Sequence, residues 1–246
     1  ILAKPRDRLP GRRIERGKIG AVACKQRARA SLRPIGQPAD RLLASLGGAP
    51  VILHTLRAFQ ACPDVDEIVV VASPDRQEVI QRLADDAGLT KLRAFVPGGA
   101  ERHLSVWAGI QAVAAECDYV AVHDGARPLI HPSQISRCLA KARETGAAAS
   151  ARPVSETLKR ADAAGRVCGS VDRSGLWIME TPQVFARPLL VQAYEAVLRE
   201  GVLVTDEVSA LERLGHPVWL VDNPTPNPKI TWPPDLAVAE RLLPLD

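Results

Sequence analysis

The chain has 246 residues, 46% of them hydrophobic, and a net charge of +4, which is enough length to bury a full core as one large α/β domain or two small ones. No apolar run approaches the ~20 residues of a membrane span, and no apolar h-region marks a signal peptide. The five cysteines, Cys24, Cys62, Cys117, Cys138 and Cys168, are scattered singly. That pattern speaks against a zinc site or a disulfide framework and for a reducing cytoplasm.

The first 41 residues hold 12 Lys/Arg and 3 Asp/Glu, so the basic balance belongs to the N-terminal sixth. A nucleic-acid-binding arm is one reading, but the stretch has no aromatic residue and no amphipathic period. The reading adopted is an irregular basic leader over 1–18, with the domain proper over 19–246. Met179 is the only methionine, and a chain opening on Ile1 reads as a fragment or a translation begun mid-frame. A short strand is expected at 19–23. A helix follows at 50–61, then a β-branched strand at 68–71 and a helix from Pro74 stopped by Gly88. The next elements are a strand at 92–96, a helix at 101–115, a strand at 119–123, a helix at 131–144 and a small-residue strand at 147–151. This alternation means right-handed βαβ crossovers and a mostly parallel sheet flanked by helices. The rhythm breaks over 154–185, where polar β-prone segments predict an arm with a hairpin of 158–160 against 166–168. Helices at 188–199 and 205–214, a strand at 217–221 and a helix at 234–243 close the chain.

The expected strand at 119–123 delivers Asp124, Gly125 and Arg127 together to its carboxyl end, where open α/β sheets bind ligands. An acid there can take a metal or a hydroxyl, the glycine allows close approach, and the arginine can grip a phosphate. The plainer alternative is a turn with a capping Asp and a solvated Arg. Gly98 and Gly99, with Ser105 one turn on, open a helix whose N–H groups suit a phosphate or sugar oxygens. Arg173 lies in the arm, Thr205 and Asp206 start a helix, and Lys229 precedes the last one. Each alone is more often structural; together they describe a site for phosphorylated ligands.

The motifs V-H-D-G-A-R-P, G-G-A-E-R-x-x-S-V, E-T-L-K-R, V-D-R-S-G-L-W, T-P-Q-V-F, V-T-D-E-x-S-A-L-E and N-P-K-I-T-x-P-P-D-L, in this order, resemble the 2-C-methyl-D-erythritol 4-phosphate cytidylyltransferase family over about 42–243. The resemblance implies a Rossmann-like nucleotidyltransferase fold of glycosyltransferase-A type, with an extended β-arm that builds a homodimer. It implies reaction of CTP with methylerythritol phosphate, a step of non-mevalonate isoprenoid synthesis that requires Mg²⁺. Gly98, Gly99, Ser105, Asp124 and Gly125 are then expected on the nucleotide side. Thr157, Arg127, Thr181 and Thr205 are expected around the methylerythritol phosphate, with Arg173 and Lys229 positioning it for attack. A cytidylyltransferase for another polyol phosphate, such as ribitol phosphate, is the runner-up. A homologue impaired for lack of the triphosphate loop is the other alternative.

The chain departs from the family after its first strand. The family carries a P-A-A-G-x-G-x-R loop and then P-K-Q; here Cys24-Lys25-Gln26-Arg27-Ala28-Arg29-Ala30 follows. Arg41 falls where the family's lysine stands and is taken as the third catalytic cation, and Arg33 is the nearest candidate for the family's arginine. The Arg/Ala/Pro/Gly bias of this stretch reads as a frameshift in a GC-rich gene. It predicts an irregular segment over 1–40 and weak CTP binding.

Overall fold

A computed structural model describes residues 18–24 and 40–243. The expectations for the leader, for the basic loop with Arg33 and for a frameshift fall on residues outside these, except that Lys18 already belongs to the first strand.

In chain order the elements are β1 (Lys18–Cys24), α1 (Asp40–Leu43), β2 (Ser45–Leu46), β3 (Ala49–Pro50), α2 (Val51–Ala61), β4 (Glu67–Val71), α3 (Pro74–Asp86), β5 (Leu92–Val96), α4 (Arg102–Ala112) and β6 (Cys117–Asp124). They continue as α5 (Pro132–Thr145), β7 (Ala147–Pro153), β8 (Leu158–Ala161), β9 (Val167–Val171), β10 (Trp177–Ala186), α6 (Arg187–Glu200), α7 (Glu207–Arg213), β11 (Trp219–Asp222) and α8 (Pro233–Leu242). Seven strands form one sheet in the order β11-β7-β10-β6-β1-β4-β5. β1 pairs in parallel with β4 and β6, β4 with β5, and β11 with β7. β8 and β9 form a separate antiparallel hairpin.

Period-two alternation sorts each central strand between two buried faces. Ala21, Ile68, Val70 and Ala121 pack on one side with Ile52, Leu56 and Phe59 of α2, Ile80 of α3 and Ile135 and Leu139 of α5. Val22, Val69, Val71, Val120 and Val122 pack on the other with Val106 and Ile110 of α4, Leu190 and Tyr194 of α6 and Leu211 of α7. Burial on both faces is why these strands read as continuous apolar runs. The result is a doubly wound, Rossmann-like layer with helices on both faces. α5 shows how an end is set: His131 caps its start by accepting from the Ser133 amide, and Gly146, at φ +85°, ends it in the left-handed region.

The sequence reading of the arm needs one correction. Residues 177–185 do not leave the domain: they form β10, antiparallel to both β6 and β7 in the middle of the sheet. The arm proper is 154–176. The strand was hidden because Glu180, Thr181 and Gln183 are polar yet buried, which erases the apolar alternation of a core strand. The short α1 and the β2–β3 turn were also not foreseen.

Gly109 of α4 sits against β1 and β4: a Cβ there would lie 2.4 Å from Val22 Cγ1 and 2.9 Å from Val71 Cγ2. Gly109→Ala is therefore expected to destabilise the fold by about 1–3 kcal/mol through overpacking, although alanine is the better helix former. A urea midpoint equal to or above that of the parent chain would contradict this packing.

Candidate functional site

The site is built at the carboxyl end of β6, the central strand of the sheet. Asp124 is its last residue and is 4% exposed. A buried carboxylate needs partners, and two cations supply them on one oxygen. Arg127 Nε lies 3.2 Å and Lys229 Nζ 3.1 Å from Asp124 Oδ2. Arg127 reaches it by a turn in which its own amide donates to the Asp124 carbonyl at 2.9 Å. Lys229 comes from the far end of the chain. Its loop is fastened to the same turn, since Arg127 Nη1 donates to the Asn227 carbonyl at 2.8 Å and the Ile230 amide to the Ala126 carbonyl at 2.8 Å. Asn227 Nδ2 donates to the Thr181 carbonyl at 3.1 Å, tying in β10.

The electrostatics follow from this packing. Burial works against the Asp124 carboxylate, but Lys229, Arg127 and Arg102 outweigh it and hold its pKa below the usual value. Burial lowers the Lys229 pKa, with Asp124 opposing and Arg127 and Arg41 adding repulsion. The pKa of Arg41, in α1, is lowered by burial and held up by the field of Asp124. Arg127 and Lys229 thus meet on one carboxylate with Arg41 within its field, leaving an excess of positive charge suited to a phosphate.

Gly125 is packed tightly, a Cβ there meeting Ile52 Cδ1 at 2.8 Å, and its carbonyl accepts from Thr55 Oγ1 at 3.1 Å. Thr181 lies in β10, where its hydroxyl meets the Asp124 amide at 3.1 Å and His123 Nδ1 at 3.0 Å. Gly98, Gly99 and Ser105 line a neighbouring pocket of about 90 Å³ with Ala72, Ser73 and Arg102, between the ends of β4 and β5 and the start of α4. The glycines serve close packing there: a Cβ on Gly99 would meet Leu104 Cβ at 2.5 Å, and one on Gly98 would meet Ser105 Oγ at 3.1 Å.

Not every expected residue arrives. Thr157 and Arg173 are exposed on the arm, where Arg173 donates to the Ser155 carbonyl; within one chain neither contacts the Asp124 cluster. Thr205 is exposed one residue before the cap of α7 and bonds Ser209 Oγ at 3.0 Å. The N-cap is Asp206, so α7 starts at Glu207 rather than at 205.

The sequence reading missed a second buried pair. Arg102 clasps Glu207 through two bonds of 2.7 and 2.9 Å, and the Tyr194 hydroxyl adds a third at 2.9 Å. Gln183 accepts from the Glu207 and Val208 amides, both at 3.2 Å. This joins the pocket of Gly98 and Gly99 to the start of α7. Both partners stand inside quoted motifs, but only the fold shows them facing each other.

Residues 31–244 match the family model described as 2-C-methyl-D-erythritol 4-phosphate cytidylyltransferase. A relative of that name from Desulforamulus reducens is 37% identical over 210 residues, 85% of this chain and 90% of that protein. Another, from Caldanaerobacter subterraneus subsp. tengcongensis, is 40% identical over 205 residues, 83% of this chain and 90% of that protein. Among solved structures, the 4-diphosphocytidyl-2C-methyl-D-erythritol synthase of Anaerococcus prevotii superposes with a TM-score of 0.80 at 25% identity, covering 93% of this chain and 96% of that one.

His123 gives the site a pH signature. Burial pushes its pKa from 6.5 down to about 4. The unfolded chain therefore binds more protons between these values, and stability falls as pH drops. The contribution is complete above about pH 6.5 and lost towards pH 4, about 3 kcal/mol in all. Denaturant unfolding across this range should show a shallower decline in His123→Gln than in the parent chain; equal slopes would contradict a buried neutral ring.

Proposed function

The chain belongs to the 2-C-methyl-D-erythritol 4-phosphate cytidylyltransferase family, and we infer that it transfers CMP from CTP to 2-C-methyl-D-erythritol 4-phosphate. The products are 4-diphosphocytidyl-2-C-methyl-D-erythritol and pyrophosphate, which makes the protein a nucleotidyltransferase of isoprenoid synthesis. The observation that carries the reading for this chain is the pair of basic side chains, Arg127 and Lys229, meeting on buried Asp124 at the end of β6.

A phosphate oxygen of methylerythritol phosphate attacks the α-phosphorus of CTP. The new P–O bond forms as the bond to the β-phosphate bridging oxygen breaks, and pyrophosphate leaves with that electron pair. The attacking oxygen is already ionised, so no general base is required. Catalysis is positioning and charge stabilisation. Lys229 and Arg127 screen the incoming phosphate while Asp124 keeps the two cations from repelling each other apart. Arg41 supplies further positive charge within the field of Asp124. Gly98, Gly99, Ser105, Asp124 and Gly125 serve the nucleotide, and Thr181 flanks the polyol phosphate. Thr157 and Arg173 lie on the exposed arm, which supports their delivery to the site of a second copy. In that homodimer, Trp177 at the arm's root, 38% exposed in the single chain, is a contact residue.

The requirement for Mg²⁺ is read as part of the substrate. Among the described residues no group of three or more His, Cys, Asp or Glu side chains is placed to hold a metal ion, and Asp124 Oδ2 is shared by two cations. These side chains do not suit a resident metal, so the divalent ion enters with the CTP triphosphate. Placement in the cytoplasm rests on the unpaired state of Cys62, Cys117, Cys138 and Cys168. No helix among the described residues is long and apolar enough to cross a membrane.

Purified chain supplied with CTP, Mg²⁺ and methylerythritol phosphate should release pyrophosphate, and ribitol phosphate should be a poor replacement. Lys229→Ala should raise KM for methylerythritol phosphate and slow turnover, up to ~10²-fold for a nucleophile misplaced by ~1 Å. Absence of pyrophosphate from the parent chain overturns the activity, and unchanged kinetics in Lys229→Ala overturn the role of that residue. Sedimentation at micromolar concentration should show a dimer. Deleting 158–171 should give an inactive monomer; a fully active monomer contradicts delivery of Arg173 by the arm.

A further inference from the structure

His123 has no part in the reaction as written above, yet it is 1% exposed and lies beside the acid on which the site is built. Its ring packs on Phe59 with centroids 5.0 Å apart and makes two hydrogen bonds. Nε2 lies 3.3 Å from the Arg127 carbonyl and Nδ1 lies 3.0 Å from Thr181 Oγ1. A carbonyl only accepts, so Nε2 carries the proton. A ring buried this completely beside the charges of Arg127 and Lys229 is neutral, which leaves Nδ1 bare and able only to accept. The Thr181 hydroxyl therefore donates to His123. Thr181 Oγ1 in turn accepts from the Asp124 amide at 3.1 Å. The bonds run in one direction, from the Asp124 amide to Thr181 to His123 Nδ1, and the opposite edge of the ring returns to the Arg127 carbonyl.

We propose that His123 is a positioning residue of this site: it fixes Thr181 as an acceptor and, through Thr181 and the Arg127 carbonyl, pins the 124–127 turn against β10. The consequence for Thr181 is specific. Its proton and one lone pair are committed inside the protein, and the remaining lone pair can receive a hydroxyl but cannot bond a phosphate oxygen. Thr181 therefore serves the polyol end of the acceptor substrate rather than its phosphate. This deepens the reading of the site as one for methylerythritol phosphate and rests on it.

The test begins with the parent chain. ¹⁵N NMR of its imidazoles at neutral pH should show His123 as the Nε2–H tautomer. A proton on Nδ1, or an imidazolium, overturns the proposal without touching the activity, which pyrophosphate release tests separately. Kinetics follow, with folding checked by thermal unfolding. His123→Leu and Thr181→Val should each raise KM for methylerythritol phosphate by about tenfold, with a clearly smaller rise in KM for CTP, because each leaves a buried polar group unmatched. Thr181→Ser, which keeps the hydroxyl, should stay within about threefold of the parent. His123→Asn, whose amide oxygen stands near the place of Nδ1, should recover most of what His123→Leu loses. The double variant should be no worse than either single one. Additive losses, or equal shifts in both KM values, would mean that the two residues act independently, and would overturn the proposal. The tautomer decides the case if His123→Leu fails to fold.

Discussion

The site depends on one constraint: a carboxylate at the end of a central strand cannot be buried alone. Asp124 is almost fully enclosed, and taking such a group from water costs several kcal/mol unless charges answer it. Arg127 and Lys229 answer it from two directions, one a single turn away and the other about a hundred residues on. The need to satisfy one acid therefore fixes where the C-terminal loop crosses the sheet. The same need makes the cluster net positive, because two cations meet one anion and Arg41 adds its field from α1. An arrangement that satisfies the acid also prepares a place for phosphate.

The sheet makes this possible. β1, β4, β5 and β6 run in parallel, so their carboxyl ends open on one edge of the sheet, and the loops after β5 and β6 both leave from that edge. β10 enters antiparallel beside β6 and brings buried polar groups where a parallel sheet would hold aliphatic ones. Each is matched. Thr181 takes the Asp124 amide, Glu180 accepts from Asn223 Nδ2 at 2.8 Å, and Gln183 accepts from the start of α7. The Arg102–Glu207 clasp adds a second buried ion pair between the pocket of Gly98 and Gly99 and α7. Such pairs add little net stability, but losing one partner is expensive, so they hold the two sides of the site in one arrangement.

Much of this was legible in the sequence. The apolar strands, the helices with their glycine and proline punctuation and the hairpin of the arm follow from period and turn chemistry, and they appear within a few residues of the expected places. Asp124, Arg127 and Lys229 were found because their motifs sit at strand and helix ends. β10 was not found, since its buried face is polar and its partners are distant in the chain. His123 was missed because a histidine beside a strand end gives no sign of the ring's hydrogen bonds; only Thr181, some sixty residues on, reveals them. Arg173 illustrates the reverse case: its motif is plain, but it lies exposed on the arm, bonded to the Ser155 carbonyl and away from the Asp124 cluster of its own chain. The basic stretch after β1 was read from its composition and from the missing loop motif, and residues 25–39 lie outside the described residues.

A crystal structure of the chain with the product 4-diphosphocytidyl-2-C-methyl-D-erythritol tests the account most directly. The account places the diphosphate between Lys229 and Arg127, with Asp124 still bonded to both and the cytidine over Gly98 and Gly99. It leaves the Thr181 hydroxyl turned to His123. A product whose phosphates contact neither cation, or that lies away from the end of β6, would contradict it.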